Sequence, residues 1–178
     1  MKFPKKNIIL VGMTGVGKTT IGKVLSRDIG TNFIDIDQEI EKITNLKIKD
    51  FFRIYGESEF RKLEEKCMLK FLNYKEKLII SPGAGILKNQ ILKEEIFKSS
   101  ICIFLKAKIS SIIFRLKKNL SNRPLLNNGK LEENLKEMYI NRINDYEKSH
   151  ITIDVDNISV SEVISKIKKK LASYDQTS

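Results

Sequence analysis

The stretch Gly12-Met13-Thr14-Gly15-Val16-Gly17-Lys18-Thr19 constrains this chain more than any other. Ile8-Ile9-Leu10-Val11 precedes it, a short apolar run that reads as a buried strand. After it, Thr20 to Ile29 carries apolar residues at Ile21, Val24, Leu25 and Ile29, the spacing of one helix face. A strand, a glycine loop, a Lys-Thr pair and a helix form the complete setting of a phosphate-binding loop. Glycines let the backbone curl until its N–H groups face one concavity, and the helix N-terminus adds its positive end there. Gly15, Val16, Gly17, Lys18, Thr19 and Thr20 are the residues expected around a nucleotide's phosphates. Lys18 is expected to reach the β- and γ-phosphates, and the Thr19 hydroxyl to bind Mg²⁺.

At 178 residues the chain is long enough to bury a real core and is read as one domain, 1–178. No secretory signal is evident at its start, and its apolar runs are too short to cross a bilayer. Cys67 and Cys102 sit in apolar contexts and read as packed thiols, which suits a reducing cytoplasm. A single histidine, His150, cannot build a histidine-rich metal site. The formal charge is +11, from 33 basic and 22 acidic residues. Such a balance attracts nucleic acid, but the lysines are scattered along helices with no basic arm and no aromatic-interleaved stripe. Steering of small anionic substrates accounts for the charge equally well.

Along the chain, Asn32 to Asp37 alternates apolar and polar and reads as a second strand, with Asp35 and Asp37 on one side at its carboxyl end. Ligands of parallel α/β sheets bind at that edge. Asp37 is also placed to cap the next helix, Gln38 to Thr44. A break at Gly56 precedes a long helix from Glu57 to Asn73, with Arg61 near its start. Leu78-Ile79-Ile80 is a third strand and runs into Ser81-Pro82-Gly83-Ala84-Gly85, where the glycines permit a tight turn able to present N–H donors. Lys88 to Lys98 reads as a helix, Ile101 to Leu105 as a buried strand, and Ile109 to Leu116 as a helix. The polar, turn-rich segment 117–130 is too long for an ordinary connection and is expected to be a mobile lid. Leu131 to Ser149 is read as a helix, Ile151 to Val155 as a fifth strand and Ser159 to Ala172 as a last helix, with a frayed tail from Ser173. Strands alternating with helices imply a parallel sheet with helices on both faces.

Taken in order, these pieces resemble the shikimate kinases over nearly the whole chain. They are Gly12–Thr19, Phe33-x-Asp35-x-Asp37, Gly56-Glu57-x-x-Phe60-Arg61, Gly83-Ala84-Gly85, Arg123-Pro124-Leu125-Leu126 and Arg142-x-x-x-Tyr146. The resemblance implies an α/β P-loop kinase sandwich with a five-stranded parallel sheet in the order 2-3-1-4-5. It also implies transfer of a phosphoryl group from ATP to the 3-hydroxyl of shikimate, on the route to chorismate and the aromatic amino acids. Lys18 would hold the transferring phosphate, and Thr19 with Asp35, the latter through water, would place Mg²⁺. Asp37 would accept from the substrate hydroxyls and is the candidate base. Arg61 and Arg142 would hold the substrate carboxylate beside Gly83, Ala84 and Gly85, and Arg123 would close over the phosphates from the lid. The helices about 37–61 would carry the substrate side. The residue chemistry agrees: a hydroxylated ring acid needs guanidinium forks and hydrogen-bond acceptors.

Two departures from the family pattern stand out. The family usually has three consecutive glycines in the substrate turn, where this chain has Ala84 in the middle; a negative φ there would make the change harmless. Asp156-Asn157-Ile158 replaces a loop from which some members present an arginine to the adenine. Other readings are a P-loop kinase for gluconate or a nucleoside monophosphate, and a non-catalytic nucleotide-binding protein. The expected partners are ATP and a small-molecule acceptor, with neither nucleic acid nor membrane, and the expected state is a cytoplasmic monomer.

Overall fold

A computed structural model describes residues 6–118 and 131–175. Its strands are β1 (Asn7–Val11), β2 (Asn32–Asp35), β3 (Leu78–Ser81), β4 (Ser100–Lys106) and β5 (Ile151–Asp154). The helices are α1 (Lys18–Ile29), α2 (Ile36–Thr44), α3 (Ile48–Leu72), α4 (Gln90–Ser99), α5 (Ile109–Lys118), α6 (Leu131–Tyr146) and α7 (Val160–Asp175). All strand pairs are parallel, in the order β2-β3-β1-β4-β5, as the resemblance implies.

The central strand β1 is buried along its whole length, which is why Ile8 to Val11 reads as an unbroken apolar run. Its one polar member, Asn7, is 2% exposed and hydrogen-bonded through both its amide nitrogen and its amide oxygen. Its Nδ2 donates to Leu72 O (3.1 Å) and its Oδ1 accepts from Leu78 N (2.9 Å). The end of α3 is thereby tied to the start of β3. Asp35 is in register with Ser81 across β2 and β3, and Val11 with Phe104 across β1 and β4. The carboxyl ends of β1, β2 and β3 therefore open on one edge, with Gly12, Asp37 and Gly83 just beyond them.

Several boundaries differ from the sequence reading. β2 ends at Asp35, and Asp37 lies in the first turn of α2 and not on an extended segment. The cap is Asp35, whose carboxylate accepts from Gln38 N at 3.3 Å. Packing decides this: Ile36 and Ile40 are fully buried and pull the helix start forward. The helical stretches on either side of Gly56 follow one another within α3, with non-helical geometry at Gly56 itself (φ 79°, ψ 175°). The helix expected from Lys88 is a 3₁₀ turn over Ile86–Lys88 followed by α4, which Asn89 caps by accepting from Leu92 N at 3.0 Å. α7 continues to Asp175, so Ser173 to Asp175 are not a frayed tail, and Tyr174 packs edge-on to His150 with ring centroids 5.7 Å apart. Lys117 and Lys118 complete α5, while the rest of the expected lid, Arg123 included, lies outside the described residues. Among the described residues, no helix is long and apolar enough to cross a membrane.

Candidate active site

The phosphate loop runs from β1 into α1. Gly12 has φ +143°, and a Cβ there would stand 2.7 Å from Leu105 O on β4, so no other residue fits. Gly17 caps α1 in the left-handed region (φ 108°), without a side-chain cap, and no acidic residue occupies the first turn. The N–H groups at the start of α1 are thus left for an external anion. Lys18 Nζ donates to Gly12 O (2.9 Å) and Met13 O (3.2 Å), which lays it along the rim of the loop. Thr19 Oγ1 donates to Asp35 Oδ2 at 2.6 Å. That pair sets a hydroxyl and a carboxylate side by side, the hard-oxygen donor set that suits Mg²⁺ together with phosphate oxygens.

A cavity of about 460 Å³ joins this loop to the turn after β3. Gly15, Gly17, Lys18, Thr19, Thr20, Asp35, Asp37, Gly83 and Ala84 all border it. Val16 faces a neighbouring cavity of about 360 Å³, shared with Arg115, Val155 and Ile158. Arg61 and Gly85 border a third of about 270 Å³, behind the turn, with Glu57 and Glu64. Arg142 borders none of these three. It is 9% exposed and lies beside Glu64 and the Tyr146 hydroxyl.

The glycines of the turn are required for a reason that differs from the expected one. Gly83 and Gly85 both have ordinary negative φ. What they provide is close approach. A Cβ on Gly83 would meet Glu64 Oε1 at 2.4 Å and Asp37 Oδ1 at 3.2 Å; one on Gly85 would meet the Arg61 guanidinium at 3.0 Å. Ala84, between them, also has negative φ, so its methyl brings no backbone strain. Its carbonyl accepts from Tyr146 Oη at 2.6 Å. Tyr146 is 1% exposed and stacks on Phe104 of β4 at 5.2 Å, which anchors the turn to the centre of the sheet.

Charge is concentrated behind the turn. Arg61 Nη1 donates to Glu64 Oε2 at 2.7 Å, and Glu64 is 2% exposed. Burial pushes the Glu64 carboxyl up, outweighing the nearby Arg61 and Arg142 guanidinium groups. Burial, with the negative charges of Asp35 and Glu64, raises Asp37 to about 6 against the pull of Lys18 and Arg61. Burial likewise pushes the Tyr146 hydroxyl up to about 12. Among the described residues, buried side-chain atoms without a hydrogen-bond partner include Asp37 Oδ1, Glu64 Oε1 and Arg142 Nε. Such atoms cost about 1–3 kcal/mol each when left without a partner, more for charged groups, so the three near this turn make it a candidate site for a polar ligand.

Sequence reasoning passed over Glu64, Tyr146 as an anchor, and Arg115. Glu64 reads as one more charge on a helical surface, and only its packing on a glycine reveals it. Arg115 donates to Val16 O (3.2 Å) and Val155 O (3.1 Å), bridging the phosphate loop and the end of β5. The loop 156–158, which lacks the arginine some family members carry there, supplies Ile158 to the cavity beside Val16.

The family model described as shikimate kinase matches residues 14–172. A shikimate kinase of Thermodesulfovibrio yellowstonii is 36% identical over 93% of this chain and 94% of its own length. One from Oceanobacillus iheyensis is 36% identical over 96% of this chain and 93% of its own length. Among solved structures, the shikimate kinase from Acinetobacter baumannii in complex with shikimate superposes with a TM-score of 0.87 at 29% identity, covering 95% of this chain and 94% of that one. A gluconokinase from Sinorhizobium meliloti, at 17% identity and a TM-score of 0.63, shares the fold. With the phosphate loop, the glycine turn and these full-length likenesses together, the chain belongs to the shikimate kinase family.

Proposed function

We propose that this protein transfers the γ-phosphoryl group of ATP to the 3-hydroxyl of shikimate, giving ADP and shikimate 3-phosphate on the route to the aromatic amino acids. The observation that carries the reading is the set of unpartnered buried atoms, Asp37 Oδ1, Glu64 Oε1 and Arg142 Nε, gathered at a turn that shares a cavity with the phosphate loop. A hydroxylated ring acid satisfies a carboxylate and a guanidinium together, which a bare phosphate does not.

In this reading the γ-phosphate enters the cup of amides at the start of α1, and Lys18 swings from the carbonyls of Gly12 and Met13 to its oxygens. Thr19 and, through water, Asp35 would hold Mg²⁺ with the phosphates, and the metal would supply charge neutralisation when bound. Arg61 and Arg142 hold the carboxylate of shikimate, which aims the ring at Asp37. Asp37 accepts the proton of the attacking hydroxyl. The oxygen–phosphorus bond to shikimate forms as the bond to the β,γ-bridging oxygen breaks, and ADP leaves with that electron pair. An Asp held near 6 is ionised at neutral pH yet more basic than an ordinary carboxylate, which suits the task. Arg115, with Val155 and Ile158, forms the wall against which the nucleoside packs. Arg123 is assigned to the phosphates on the family motif alone.

One chain supplies every group named, in keeping with a monomer. Both cysteines are free and buried, in keeping with a reducing cytoplasm. The test is ADP release by purified protein with ATP, Mg²⁺ and a panel of acceptors. Turnover with shikimate is expected; turnover with gluconate or a nucleoside monophosphate in its place, or ATP binding without acceptor-dependent turnover, would overturn the reading.

A further inference from the structure

Arg61 does not face the site unpaired. Through Nε and Nη2 it donates to one oxygen of Glu57, at 3.2 and 2.9 Å, while Nη1 is held by Glu64 at 2.7 Å. The two glutamates differ in kind. The Glu64 side chain is 2% exposed and is locked into the fold, whereas that of Glu57 is 66% exposed and free to swing out. Nε with Nη2 is the fork on which a guanidinium takes a carboxylate by paired hydrogen bonds. Glu57 therefore presents a carboxylate where an incoming carboxylate would bind.

Resting on the reading of Arg61 as a holder of the substrate's carboxylate, we infer that Glu57 is a displaceable counter-ion that competes with incoming carboxylates for that fork. Glu64 keeps the guanidinium in place over Gly85 whether or not Glu57 is engaged. Glu57 stands directly after the Gly56 break, so on opening the second segment of α3 it is one helical turn from Arg61. A simple anion must displace it with its own charge alone. A ring acid that also satisfies Asp37 and Arg142 brings further contacts to offset the displacement. Glu57 thus lowers affinity for every carboxylate by a similar factor, so only an acid that brings those further contacts still fills the fork at low concentration.

The test is Glu57→Gln, an isosteric change at an exposed position, with retained folding checked by its melting temperature. An exposed ion pair of this geometry corresponds to about a two- to five-fold change in binding. KM for shikimate is expected to fall by that factor while KM for ATP stays constant. Benzoate, a carboxylate without ring hydroxyls, is expected to become a correspondingly stronger competitive inhibitor against shikimate. In an Arg61→Ala background the Glu57→Gln change is expected to do nothing. A raised KM for shikimate would show that Glu57 orients Arg61 and would overturn the inference, as would unchanged values of both KM and benzoate inhibition. Failure of the underlying reading looks different: Arg61→Ala alone would leave KM for shikimate where it was.

Discussion

Replacing Asp37 by Asn should stabilise the protein while disabling it. The folded environment raises the Asp37 carboxyl from 3.8 to about 6, chiefly through burial and secondly through Asp35 and Glu64. A rise of about two units, at about 1.4 kcal/mol per unit, makes the ionised form of Asp37 about 3 kcal/mol worse in the folded than in the unfolded chain. The sign follows from proton counting. Between pH 4 and 6 the folded protein holds this proton and the unfolded chain does not, so stability falls as pH rises through that window. Above it the full penalty is present, and below it the penalty is gone. Asn carries no charge at any pH. Asp37→Asn is therefore expected to gain up to about 3 kcal/mol at pH 8, or about 6–12 °C in Tm for a chain of this size, and almost nothing at pH 4. Urea unfolding of both proteins at the two pH values, without substrate, reads the difference, since the titrations of groups remote from Asp37 cancel. Turnover should drop by about 10²–10⁴, the usual contribution of a positioned base. An equal gain at both pH values, or a loss at pH 8, would refute the electrostatic account of Asp37.

Gly83→Ala places a methyl 2.4 Å from Glu64 Oε1 and 3.2 Å from Asp37 Oδ1, so KM for shikimate should rise at least ten-fold in steady-state assays, whereas Ala84→Gly should shift it by less than about three-fold. Tyr146→Phe leaves the Ala84 carbonyl without its donor, and chemical denaturation should record a loss of about 1–3 kcal/mol together with a higher KM for shikimate. Arg142→Ala removes a contact made in the ground state, so KM for shikimate should rise with a smaller effect on kcat. The pH profile of kcat/KM should rise through an apparent pKa near 6 and flatten above it, as Asp37 loses its proton.

What could be read in the chain divides along a physical line. The strands and the phosphate loop are local, since a buried apolar run, a glycine loop and a helical repeat occupy adjacent residues, whereas the order of the strands in the sheet rests on the family resemblance. Asp35 and Asp37 show where local reading fails. Alternation from Asn32 to Asp37 fits a strand, but Ile36 and Ile40 are both fully buried and start a helix after Asp35, which makes Asp35 the cap. The carboxylates still reach one cavity, because β2 ends at the edge where α1 begins. The need for Gly83 was legible and its reason was not. Two glycines suggest an unusual backbone, whereas the conformation is ordinary and the demand comes from Glu64, remote in sequence on α3. Glu64 itself carries no local mark, since a charged residue in a charged helix is uninformative until its neighbour across the fold is known. Arg142 and Tyr146 are spaced i, i+4 on one face of α6, a pattern that is legible, but their burial against the turn is a tertiary fact.

The most direct measurement is a crystal structure of the protein with shikimate and a non-hydrolysable ATP analogue. It is expected to place the ring carboxylate within hydrogen-bonding distance of Arg61 and Arg142, the 3-hydroxyl against Asp37, and the terminal phosphate against Lys18. A shikimate carboxylate bound away from both arginines, or a hydroxyl turned from Asp37, would contradict the account.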